Sequence, residues 1–161
     1  MSTTINTPLP TRHRIRQLIE EMLNIEVGIA DGIAAPARST NLVGVYVTPK
    51  LATTALVITD LEAAARLGGA LAEVPRNAVQ EAIASRELTP VLSRNFYTLL
   101  DNMAKLFNGE NQPEISLYEM YGADSVIPAD VAALAGSAGS RIDLKLAVEG
   151  YGLGQMSLIT R

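Results

Sequence analysis

The chain has 161 residues, 48% of them hydrophobic and 19% charged, with a formal net charge of −4 and a pI near 5.0. That length suits one domain with a continuous core. The acidic balance and the 4% aromatic content exclude a surface built to track phosphates or stack bases, so nucleic acid is not an expected partner.

Zero cysteines remove disulfides, thiolate metal sites and cysteine nucleophiles together. The single histidine, His13, stands between Arg12 and Arg14, where it reads as an exposed residue at a helix start. Neither a metal nor a cofactor is expected. The mean hydropathy of +0.19 is high, but the apolar residues come in short runs and none reaches the roughly 18–20 residues of a membrane span. The opening MSTTINTPLP has neither the basic start nor the apolar core of a secretory signal, and the expectation is a cytoplasmic protein that does not engage membranes.

Residues 1–10 are polar, contain Pro8 and Pro10, and read as a flexible lead-in to a single domain over 11–161. From Thr11 the residues Ile15, Leu18, Ile19, Met22 and Leu23 recur at helical spacing, and Asn24 ends the pattern. A first strand is predicted within Ile25–Gly32, followed by a turn-like segment holding Gly32 and Pro36. Leu42–Thr48 and Thr53–Asp60 are β-rich runs joined by a short connection containing Pro49, the signature of a hairpin.

Asp60 is placed to cap a helix running to about Glu73, with Glu62 in its first turn. Ala64, Gly68 and Ala72 form a stripe of small residues on that helix, which suits close backbone packing better than phosphate binding. Pro75 breaks it, and a short helix with Val79 and Ile83 as its buried pair follows. The longest helical pattern spans Thr89–Asn108, with Pro90 at the first helical position. Leu92, Phe96, Leu99, Leu100, Met103, Leu106 and Phe107 fall on one arc, which takes both phenylalanines of the chain, and Arg94, Thr98, Asp101, Lys105 and Asn108 fall opposite.

Ile115–Tyr121 reads as a strand, and Pro128–Leu134 as two helical turns within the Ala-, Gly- and Ser-rich stretch Gly122–Ser140. Ile142, Leu144, Leu146 and Val148 then alternate with Arg141, Asp143, Lys145 and Ala147, the pattern of a strand with one buried and one wet face. Tyr151–Thr160 completes a second hairpin. Gly150, Gly152 and Gly154 lie in or beside its turn with no helix after them, which fails the structural requirement of a nucleotide-binding loop. The order is one helix, three strands, three helices and three strands: an α+β domain with about six antiparallel strands in one sheet packed against helices.

This arrangement resembles the CheC/CheX family of chemotaxis phosphatases. The likeness is carried by IRQLIEEMLNIEVGIADG, LVGVYVTP, TALVITDLEAAARLGGALAE, the long helix and the terminal hairpin, over roughly residues 11–161. It implies a long helix bearing an E-x-x-N pair that faces a phosphorylated response regulator. In the family the acid engages a lysine of the regulator, and the carboxamide positions a water for in-line attack on the aspartyl phosphate.

Two registers place that pair on the long helix here. One sets Leu99 and Asn102 at the two positions, with Leu99 in the centre of the apolar arc. The other sets Thr98 and Asp101 there, both on the polar stripe, but a threonine forms no ion pair and an ionised aspartate offers only acceptors. A literal E-x-x-N-x-x-x-G also occurs at Glu21, Asn24 and Gly28. Asn24 falls where the helical period stops, so a left-handed C-cap is the competing account of it.

Three functions follow as expectations. The first is a non-catalytic regulatory or protein-interaction domain that self-associates, as a homodimer, with Arg94, Thr98, Asp101 and Lys105 as the candidate partner surface. The second is a response-regulator phosphatase using Glu21 and Asn24. The third is a small-molecule sensor or carrier with an apolar pocket where Gly68, Gly69 and Ala72 leave room. The partners in view are a second copy of the chain and a response regulator or other signalling protein.

Overall fold

The computed structural model describes residues 7–38, 40–109, 114–122, 125–137 and 140–161, so the first six residues of the lead-in and parts of Gly122–Ser140 lie outside the described residues. Helix α1 (Arg12–Leu23) begins where the Thr11 hydroxyl accepts the Arg14 amide, and it buries Ile15, Ile19 and Leu23. Strands β1 (Val27–Asp31), β2 (Leu42–Val47) and β3 (Thr53–Thr59) follow, the last two as a hairpin. Helix α2 (Leu61–Leu71) is capped by Asp60, whose carboxylate accepts the Ala63 amide at 2.8 Å. Helices α3 (Arg76–Ala84) and α4 (Pro90–Met103) come next. Strand β4 (Ser116–Tyr121), a short helix α5 (Ala129–Ala135) and the hairpin of β5 (Ser140–Val148) and β6 (Gly152–Thr160) complete the chain.

The six strands form one open antiparallel sheet in the order β1-β5-β6-β3-β2-β4. Pairings such as Leu144 with Met156 and Val57 with Leu158 set the apolar residues of neighbouring strands side by side on the face that α1, α2 and α4 cover. The α+β architecture, the single antiparallel sheet and the order of strands and helices along the chain are those expected from the sequence. Every apolar residue of the α4 arc, from Leu92 to Phe107, is buried.

Four details differ from the sequence reading. The long helix stops being α-helical at Met103 and tightens into a 3₁₀ turn over Ala104–Leu106. The reason is a contact from the sheet: the buried Tyr46 hydroxyl donates to the Leu100 carbonyl at 2.6 Å, and the Ala104 amide bonds to the Asp101 carbonyl instead of to Leu100. In α3 the buried residues are Val79 and Ala82, with Ile83 only half-buried.

The packed chain also starts earlier than Thr11. Thr7 and Pro10 are buried, and the Thr7 hydroxyl is hydrogen-bonded to that of Thr54. Finally, the sheet is covered on both faces at one end. Val43, Val45, Val47, Leu56, Ile58 and Ile159 form a second, smaller core under Ala35 and the Val131 and Leu134 side chains of α5. That explains why every residue of β2 and β3 is buried instead of every other one.

Candidate protein-interaction surface

With one side of α4 committed to the core, the other side is presented to solvent. Arg94, Thr98, Asp101 and Lys105 are all exposed there, on successive turns of the helix and its 3₁₀ extension. Asp101 and Lys105 do not pair with each other. Among the described residues no ion pair involves Arg94, Asp101 or Lys105. The Thr98 hydroxyl is turned back to the Arg94 carbonyl at 3.1 Å, and Asn102 donates its amide to the Thr98 carbonyl at 2.9 Å.

Two apolar residues belong to the same surface and were missed in the sequence. Tyr97 is 39% exposed and Val91 42% exposed, on a helix whose remaining large apolar side chains are buried. Their signal was available: Tyr97 stands between Arg94 and Asp101 at i+3 and i+4 spacing, among the polar positions of the helical wheel. Asp101 and Tyr97 also act inward. The Tyr46 phenol is held well above its ordinary range, first by burial and then by the charges of these two neighbours.

Neither register of an E-x-x-N pair on α4 presents the chemistry of a phosphatase helix. Leu99 is fully buried, so Asn102 has no exposed partner three residues before it, and Thr98 and Asp101 supply a back-bonded hydroxyl and a carboxylate. On α1, Asn24 is the left-handed C-cap, with φ 57° and ψ 34°, and its amide donates to the Glu20 carbonyl at 2.8 Å. Glu21 and Asn24 are both exposed but line different surface clefts. The cleft at Asn24 is otherwise bounded by Glu20, Ile25, Glu26 and Glu149. Glu20 and Glu149 there accept the Val27 and Glu26 amides, and a phosphoryl group brought to Asn24 would face all three carboxylates.

The glycines of α2 are filled space. A methyl group at Gly68 would overlap the Leu92 carbonyl oxygen, and one at Gly69 would strike Val79, so α4 and α3 occupy the room that a pocket there would need. Among the described residues no group of three or more His, Asp or Glu side chains is placed to hold a metal ion, and no helix is long and apolar enough to cross a membrane.

No family model and no curated protein sequence matches the chain. Its fold is nevertheless similar to that of known structures. A chain of the FliM–SpeE complex from H. pylori matches with a TM-score of 0.57 and 10% identity, over 92% of this chain and 80% of that one. The FliM middle domain (51–229) from Vibrio alginolyticus matches with a TM-score of 0.54 and 11% identity, over 92% and 86%. CheX, in its complex with CheY from Borrelia burgdorferi, matches with a TM-score of 0.47 and 10% identity, over 90% and 91%. At such identities the fold is what is shared. The chain has the CheC/CheX-like fold, in which FliM middle domains also take part.

Proposed function

We propose that this domain is a non-catalytic regulatory or protein-interaction module that binds through the outer face of α4 and self-associates. The observation that carries this is the set of exposed charges without ion pairs on α4, Arg94, Asp101 and Lys105, grouped around the exposed Tyr97. A tyrosine supplies apolar area at low cost in side-chain entropy, whereas rim charges set register and encounter rate more than affinity. Opposite charges on one patch suit a two-fold pairing, because Asp101 of one copy can meet Lys105 of the other. A response regulator or other signalling protein is the alternative occupant of the same face. The setting that fits either partner is the cytoplasm.

The test of the non-catalytic part is phosphate release from a panel of phosphorylated response regulators with and without the protein. Unchanged rates are expected, since Asn24 serves as a cap and α4 lacks the acid and carboxamide pair. Acceleration that the Asn24→Ala substitution abolishes would overturn the reading in favour of the phosphatase.

A further inference from the structure

On the face of the sheet opposite α4, a cleft of about 270 Å³ opens between the outer strand β4 and the start of α5. Its floor is apolar, made by Val45 and Val47 of β2 and Val131 of α5, which are each at most 4% exposed. Tyr118 and Tyr121 of β4 and Leu51 of the β2–β3 turn form its rim. The one charged side chain lining it is Asp130, whose Oδ2 accepts the Thr53 hydroxyl at 3.1 Å while Oδ1 makes no hydrogen bond among the described residues.

Two local irregularities build this rim. Strand β4 carries one extra residue against β2, with Val45 facing Glu119 and Tyr46 facing Leu117, so Tyr118 is the bulged residue and stands 55% exposed. Leu51 adopts φ +62°, a conformation that normally calls for glycine or asparagine, and it is 67% exposed. A strained backbone that displays a large apolar side chain at a cleft is the kind of outlier that marks a functional site.

Charge and size narrow the occupant. The Tyr121 phenol is raised by burial first and then by Glu119, Tyr118 and Asp130, so the titrating groups around it are acidic. Arg161 lines an adjacent cleft with Asp130 but forms no ion pair with it. The volume falls below the roughly 300–1,000 Å³ of small-molecule pockets, which favours a single long side chain over a whole ligand. An aliphatic stem against valines, a flat cation against tyrosine rings and a two-pronged donor facing a carboxylate together describe arginine better than lysine.

We propose that this cleft receives an arginine side chain from an exposed segment of a partner protein, with the stem passing Leu51 onto the valine floor and the guanidinium on Asp130 beside the Tyr118 and Tyr121 rings. The site is independent of α4, which lies across the sheet.

The test is an NMR titration of the full chain with a blocked heptapeptide of alternating threonine and valine carrying one central arginine, against the same peptide with norleucine. Saturable amide shifts at Leu51, Tyr118, Tyr121 and Asp130 are expected, with the arginine peptide bound roughly tenfold more tightly. Asp130→Asn should abolish that preference. Leu51→Gly relieves the left-handed leucine, so it should fold normally while weakening both peptides. Absence of saturable shifts, shifts confined to other surfaces, equal binding of the two peptides or a preference that survives Asp130→Asn would overturn the assignment.

Discussion

The Tyr46 hydroxyl donates to the Leu100 carbonyl at 2.6 Å, joining β2, the strand beside the sheet's outer strand β4, to the helix that presents the candidate surface. The same ring packs against Phe107, with centroids 5.0 Å apart and planes tilted by 55°. Tyr46→Phe leaves a buried carbonyl short of a partner and should cost about 1–3 kcal/mol in urea unfolding. The raised phenol adds a pH signature. Its stabilising contribution is complete below the unfolded value near 10.0 and is lost as pH rises through the higher folded value, so the variant should unfold less steeply on the alkaline side than the parent.

Asp143 anchors the opposite face. It accepts the Ser157 hydroxyl at 2.6 Å and the Arg141 guanidinium at 2.9 Å, while Ser157 accepts the Ala35 amide and Arg141 reaches the Ala135 carbonyl at the end of α5. Burial pushes the carboxyl up, but the hydrogen bonds from Arg141 and Ser157, helped by the arginine charge, outweigh it and leave the group below 3.8. This contribution is therefore present above the unfolded value and lost as pH falls through the folded one. Asp143→Ala should flatten the loss of stability below about pH 4. It should also speed hydrogen exchange at the Ala35 amide.

Gly68→Ala sets two effects of opposite sign against each other. Helix propensity favours alanine by about 1 kcal/mol. The overlap of the new methyl with the Leu92 backbone, which cannot swing aside as a side chain could, costs roughly 1–3 kcal/mol or more. A lowered thermal midpoint is expected, and a raised one would mean that α2 and α4 pack less closely than described.

Phe96 lies in the centre of the core and is fully buried. Phe96→Ala should cost about 3–5 kcal/mol, read as a shift of the denaturation midpoint at unchanged slope.

Much of this arrangement could be read in the residues. The 3.6-residue period named the whole buried arc of α4, capping chemistry named Asp60 at the start of α2, and Pro90 at the first helical position marked the start of α4. What escaped depends on contacts between distant segments. The early end of α4 is imposed by Tyr46, 54 positions away, and no local pattern around Leu100 announces it. The second core was half visible, because the unbroken apolar run of β2 signals burial on both faces. A seven-residue α5 carries too little periodicity to say which face it would cover. Tyr97 was overlooked for a simpler reason, since an amphipathic ring fits either side of a helical wheel.

The pairing of two copies of the chain through α4 is measured most directly by sedimentation velocity over a wide concentration range. The parent protein is expected to shift from monomer to dimer as concentration rises, Asp101→Lys to remain monomeric through like-charge opposition, and the double exchange Asp101→Lys with Lys105→Asp to recover the dimer. A parent protein that stays monomeric throughout, or an Asp101→Lys variant that dimerises as the parent does, would contradict it.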